Sequence, residues 1–133
     1  MPGTIRGGMN GGGATWLDRE IYHGAHFSDL TRGPRVVINA ADLYNSTPFA
    51  FTPLFFDALC SDLSRVRVAD AVAASMAVPV AFRPVLAESY PASCSGPPEW
   101  AVRVAADRNA PENVRQTARA FLNYRGDTPA QQR

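Results

Sequence analysis

Ser75 sits in "VADAVAASMAVPVAFRPV", residues 68 to 85, a run of small apolar residues that Pro79 interrupts. A serine hydroxyl attacks an ester only when a base takes its proton and backbone N–H groups wait for the oxyanion. The usual Gly-x-Ser-x-Gly setting is absent: Ser75 stands between Ala74 and Met76, and Ser95 precedes Gly96 without a leading glycine. His23 and His26 are close enough to share a helix face, but Gly24 lies between them. No third ligand has suitable spacing, whereas a closed metal site takes about four, so surface histidines are the expectation. Asp42 follows an apolar run, where α/β enzymes often place functional groups; the ordinary role of Asp near a turn is capping, which is favoured here. Cys60 and Cys94 allow at most one bridge, and their count and spacing favour free thiols. "GGMNGGG" resembles an oxyanion loop only in composition, with no strand before it. "RGD" at Arg125 to Asp127 reads as a polar turn after a helix.

These side chains need elements to hold them. The glycines of residues 1–15 predict a flexible lead-in. From Trp16 to Leu30, Leu17, Ile21 and Tyr22 give a short helical face ending near Gly24. "RGPRVVINAADL" contains the β-branched run Val36, Val37, Ile38 after a Gly-Pro break, which predicts a strand buried on both faces, as in a parallel sheet. "NSTPFAFT" turns into an alternating segment with Phe49 and Phe51 on one face. Thr52 and Pro53 fit the N-cap and first position of a helix through Phe55, Phe56, Leu59, Cys60 and Leu63.

The next helix has Asp70 in its first turn, where the positive end of the dipole favours a carboxylate. Ala71, Ala74, Ser75 and Val78 share a face small enough for close backbone approach. Pro79 ends it, since proline lacks the donor and clashes with the preceding turn. "AESYPASCSGPPEW" reads as a loop and "WAVRVA" as an edge strand. Residues 111–124 predict an amphipathic helix entered at Pro111, with Glu112 in its first turn and Val114, Ala118, Phe121 and Leu122 as its stripe.

Composition bounds the partners. The chain has 133 residues, 46% hydrophobic and 19% charged, an ordinary balance for one globular domain. Thirteen arginines against twelve acidic residues leave a formal charge of +1, with no basic stripe for nucleic acid and no acidic tail. No apolar run approaches the roughly 18 residues of a membrane span, and the N-terminal residues lack the apolar stretch of a secretory signal. A soluble, untargeted chain is expected, and its compartment is left open.

From Arg35 to Val85 the residues carry a resemblance. "RVVINAADLYNSTPFAFT" and "FDALCSDLSRVRVADAVAASMAVPVAFRPV" resemble the middle of a bacterial patatin-like phospholipase domain. That family shows a strand ending in an Asn-Ala-x-Asp-Leu type of sequence. It then shows an Ala-x-x-Ala-Ser-x-Ala-x-Pro-x-x-Phe-x-Pro block, matched by Ala71, Ala74, Ser75, Ala77, Pro79, Phe82 and Pro84. The likeness extends weakly back to Trp16 and is one of layout alone from Glu88 to Arg133. It implies a three-layer α/β fold and a lipid acyl hydrolase that works by a Ser-Asp dyad, with no metal or cofactor. It implies a lipid or acyl-ester substrate, contact with a membrane surface, and no nucleic acid.

The sequence departs from the family at the dyad, because it contains neither Gly-x-Ser-x-Gly nor Asp-Gly-Gly. The expectation is that residues 16–133 are an internal fragment of such a domain, with both catalytic residues outside the chain. Ser75, Pro79 and Phe82 are then the wall of the acyl site, doing no chemistry themselves. The alternative is a noncatalytic module that keeps the fold for binding lipid or protein. Phe49, Phe51, Phe55 and Phe56 crowd a short interval, for which contact with an acyl chain is one reading and a core cluster the favoured one. In a fragment, apolar surface meant for missing strands is exposed.

Overall fold

The computed structural model describes residues 5–6, 12–76, 86–87, 89–90 and 94–125. It has five α-helices, α1 (Gly12–Leu17), α2 (Pro53–Ala58), α3 (Val68–Met76), α4 (Glu99–Ala106) and α5 (Glu112–Tyr124) among these residues. Among the same residues four strands form two separate antiparallel pairs. Strand β1 (Ile5–Arg6) pairs with β4 (Leu86–Ala87), and β2 (Asn39–Asp42) pairs with β3 (Thr47–Ala50) in a hairpin whose register runs from Asn39 opposite Ala50 to Asp42 opposite Thr47. This is a small mixed helix and strand domain. The strand pairings among the described residues are antiparallel, whereas a parallel sheet was expected.

The first helix begins at Gly12, inside the stretch read as a lead-in, and buries Ala14 and Leu17. A π-helical turn, Asp18–Tyr22, follows it. The extra residue in that turn rotates the face, so Ile21 points outward although its spacing from Leu17 is helical. His23 (φ 49°) and Gly24 (φ 79°) then reverse the chain in the left-handed region, with Asp18 accepting from both backbones: the His23 N–H reaches its carbonyl and the Gly24 N–H reaches Oδ1. That left-handed pair stops the helix where Gly24 predicts it.

Val36 and Val37 are 51% and 52% exposed and precede β2 instead of forming it. A strand buried on both faces needs covering layers and flanking strands. Here β2 pairs with β3, and Ile38 alone of the three valine-like residues packs partly on the core. The alternating segment forms as expected, with Phe49 and Phe51 buried. Thr52 caps α2 through its backbone carbonyl, which accepts from the Phe56 N–H at 3.1 Å, and Pro53 occupies the first turn. Cys60 leaves the helix at φ 53°, a conformation usually left to glycine.

Helix α3 forms where expected, but its close approach uses another face. Ala69 and Ala73 pack with Ala14 and Leu17 of α1, while Val68 and Ala71 join the main core. The segment "WAVRVA" is helical, part of α4, and not an edge strand. Trp100, Ala101, Val104 and Ala105 recur at the three-to-four spacing of a helix and meet the core together. Glu99 in the first turn and Arg103 in the last complement the dipole. Helix α5 packs against α4 through Ala118 and Phe121, with Tyr124 buried at its end; Val114 of the expected stripe is exposed. The core is aromatic: the Phe121 ring lies 4.7 Å from Phe55 and 5.1 Å from Trp100, and the Phe49 ring 5.3 Å from Phe51, mostly edge to face.

Cys60 and Cys94 form a disulfide, with Cα atoms 5.8 Å apart, so the expectation of free thiols is overturned. Their separation of 34 residues could not reveal that the left-handed end of α2 turns Cys60 toward the loop before α4. Closing a loop of that length removes about 4 kcal/mol of chain entropy from the unfolded state.

Candidate functional site

Ser75 lies in the last turn of α3, with its side chain exposed. No base is hydrogen-bonded to it among the described residues. Pro79 and Phe82, the other two expected wall residues, lie outside the described residues. His23 is exposed, and His26 has a structural task in a capping box: its side chain accepts from the Asp29 backbone, and Asp29 Oδ2 accepts from the His26 N–H at 2.8 Å. Among the described residues no group of three His, Cys, Asp or Glu side chains could hold a metal ion.

The densest polar cluster forms around Asp42, at the end of β2. Its Oδ1 accepts the backbone N–H groups of Tyr44 and Asn45, both at 3.0 Å, which is the expected turn capping. Its Oδ2 accepts Asn45 Nδ2 at 2.7 Å and the Tyr124 hydroxyl at 2.6 Å. The same Asn45 accepts from Asn123 Nδ2 at 2.7 Å. The β2–β3 turn is thus joined to the last turn of α5, 78 to 82 residues away.

Four donors occupy the acceptor sites that a carboxylate has. The arrangement can fix a turn against a helix, and it leaves Asp42 no free lone pair with which to take a proton from a substrate. Burial, then the hydrogen bond to Asp42 and its charge, push the Tyr124 phenol above its ordinary range. The neighbouring Thr47 hydroxyl acts the opposite way and more weakly, yet its Oγ1 is buried without a hydrogen bond of ordinary geometry.

This raised phenol predicts a pH effect. An unfolded tyrosine ionises near pH 10, whereas the folded Tyr124 holds its proton beyond that. Its contribution is therefore complete below about pH 10 and declines as pH rises above it. Tyr124→Phe is expected to lose about 1.5 kcal/mol at neutral pH, the worth of a hydrogen bond to a charged group with other donors still present. The gap between variant and wild type should narrow from pH 10 to pH 11. Urea midpoints measured between pH 8 and 11 check both statements, and a gap that widens with pH contradicts them.

Two further tethers join other elements. Arg67 makes a two-pronged contact with Asp70, Nε to Oδ2 and Nη2 to Oδ1, both at 3.0 Å, and its Nη1 is 3.5 Å from Asp18 Oδ2. The Asp70 hydrogen bond raises the Arg67 pKa despite partial desolvation. Arg125, just past α5, donates through Nη1 to the Gly96 carbonyl at 2.5 Å and through Nη2 to the Asp57 carbonyl at 3.0 Å. The sequence singled out Asp42, gave Arg125 only as the start of a polar turn, and missed Tyr124, Asn45 and Asn123. Tyr124 alone left a trace, three residues beyond Phe121 on the buried face of α5.

The geometry defines a small mixed domain whose polar residues brace a hairpin and two helices around an aromatic core. No protein-family model, no curated protein and no solved structure matches the chain. No helix among the described residues is long and apolar enough to cross a membrane.

Proposed function

We propose that the chain is the middle segment of a patatin-like lipid acyl hydrolase, completed to a three-layer α/β domain by residues outside it. The nucleophilic Ser and its Asp base belong to those other residues, and the substrate is an acyl ester of a lipid met at a membrane surface. The observation that carries this reading is the block of seven matched positions from Ala71 to Pro84. It gains support from the exposed Val36 and Val37 ahead of a hairpin strand that is paired on one side among the described residues, a surface that a further strand or layer would cover. In this reading Ser75, Pro79 and Phe82 shape the acyl site.

The chain by itself is expected to leave a short-chain nitrophenyl ester intact, and Ser75→Ala to behave as wild type. Turnover that disappears in Ser75→Ala would overturn the noncatalytic role of Ser75. The family reading is tested by the DNA on either side of the reading frame: an in-frame Gly-x-Ser-x-Gly upstream and Asp-Gly-Gly downstream support it, and stop codons with neither motif sink it.

One observation favours a second reading, a noncatalytic binding module. Phe49, Phe51, Phe56 and Phe121 are buried in a closed cluster, as a domain that folds alone requires. Such a module unfolds in one cooperative step, whereas a fragment with unfilled packing binds hydrophobic dyes. Calorimetry together with dye titration separates the two.

A further inference from the structure

Arg125 touches a third group besides the two carbonyls: its Nη1 lies 2.7 Å from Cys94 Sγ. A disulfide sulfur is a weak acceptor, so the half-buried guanidinium gains little there while the bridge is closed. Once the bridge opens, the same cation faces a sulfur able to carry a full negative charge, and charge-assisted hydrogen bonds are roughly twice as strong as neutral ones. The two cysteines are also unequal. Cys60 is fully buried, whereas Cys94 is partly exposed. The ionisable groups that chain position or contact brings toward the bridge, among the described residues, are Asp57 on α2, Asp62 two residues past Cys60, Tyr90, whose N–H donates to the Leu59 carbonyl, Glu99 on α4 five residues past Cys94, and Tyr124 and Arg125 at the end of α5. The Arg125 guanidinium is in contact with Cys94, while Asp57 offers Arg125 its backbone carbonyl and the Tyr124 hydroxyl donates to Asp42.

We propose that Cys60–Cys94 is a reducible bridge in which Cys94 is the accessible, redox-sensitive member, held as a thiolate by Arg125 once the bond opens. The first step is attack by the thiolate of a small dithiol or of a tripeptide thiol on Cys94 Sγ. A bond forms between the two sulfurs, the bond to Cys60 breaks, and Cys60 leaves with the electron pair and takes up a proton. A second reductant thiolate attacks the reductant sulfur of this mixed disulfide and releases Cys94 as thiolate against Arg125. The reductant is oxidised to its disulfide, and the protein gains two electrons. Because Arg125 favours the open form over the closed one, it acts as a positioning residue that makes the bridge easier to reduce. Cys94 is then a modification site for oxidants and electrophiles, and Cys60 is not.

The test is the pH profile of iodoacetamide labelling, read site by site by peptide mass spectrometry on the full chain after reduction with a phosphine. An ordinary thiol has its midpoint near pH 8.5, and a thiolate beside an arginine below about 7.5. Folded wild type is expected to label at Cys94 with the lower midpoint, and urea-unfolded wild type at both cysteines with the ordinary one. Arg125→Gln should raise the folded Cys94 midpoint by at least about one unit, a tenfold loss of thiolate at neutral pH, while Arg125→Lys keeps it low. If either variant fails to fold, the comparison of folded with unfolded wild type still decides. A folded Cys94 midpoint equal to the unfolded one, or Cys60 labelling as fast as Cys94 in the folded protein, overturns the proposal.

Discussion

Phe121→Ala is expected to cost about 3–5 kcal/mol, the range for removing a fully buried phenylalanine from a packed core. The Phe121 side chain is 0% exposed, and its ring meets Phe55, Trp100 and Tyr124 with centroids 4.7 to 5.8 Å away. Those three residues come from α2, α4 and the end of α5, so one truncation loosens three of the helices that close the aromatic core. The surrounding rings are large and cannot collapse far into the gap, which places the cost toward the upper part of the range. A domain of this size has roughly 5–15 kcal/mol of total stability, so the melting temperature should fall by more than about 10 °C. Val114→Ala on the exposed side of the same helix is the control, with an expected change within about 0.5 kcal/mol. Scanning calorimetry of both variants checks this, and equal effects would show that α5 is not packed as described.

The elements that could be read from the chain are those whose signals are local. Pro53 and the apolar spacing after it define the start of α2, which ends at Ala58 short of the expected Leu59, Cys60 and Leu63; the alternation of Phe49 and Phe51 defines β3, and Pro111 with the Ala118 and Phe121 stripe defines α5. Asp42 capped its own turn because an Asx turn needs only neighbours two and three residues on. Where two periods compete, the reading failed. "WAVRVA" alternates closely enough to mimic a strand, but Trp100, Ala101, Val104 and Ala105 also fit a helix, and packing on α5 decided between them. Val36, Val37 and Ile38 have the composition of a buried strand, yet burial depends on which layers lie above and below, and a triplet carries no record of its neighbours.

The tethers were illegible for a different reason. The hydrogen bond from Tyr124 to Asp42 spans 82 residues, and the contact of Arg125 with Cys94 spans 31. Neither has a spacing that any local rule could detect. The disulfide belongs with them: its existence depends on a left-handed residue at Cys60, in a conformation that gives no warning in a residue with a side chain. Apart from the contact of Arg67 with Asp18, the long-range side-chain contacts described above gather at one end of α5. Tyr124 and Asn123 hold the hairpin, and Arg125 holds the bridge and the end of α2. Loss of the last turn of α5 should release all of them together.

Arg67→Ala is expected to destabilise the protein by about 2–4 kcal/mol, most of it from the carboxylate left behind. Asp70 points into the base of α3 with its side chain 7% exposed, and Arg67 contributes two of the hydrogen bonds that make this burial tolerable. Two effects moderate the cost: Arg67 itself is 38% exposed, and Asp70 keeps the favourable field of the helix N-terminus. Asp70→Ala should cost less than Arg67→Ala, because the freed guanidinium can turn to water and to Asp18, whereas a freed Asp70 cannot leave the core. The double variant removes the orphaned charge as well as its partner and should recover part of the loss. Urea unfolding of the four proteins closes the cycle and gives a coupling on the order of 1–3 kcal/mol. Raising the salt should weaken the Arg67 contact with Asp18 more than that with Asp70, since screening acts on the more solvated pair. An Arg67→Ala loss below about 0.5 kcal/mol would place the pair with ordinary surface ion pairs and remove this clamp from the forces that hold α3, and with it Ser75, against α1.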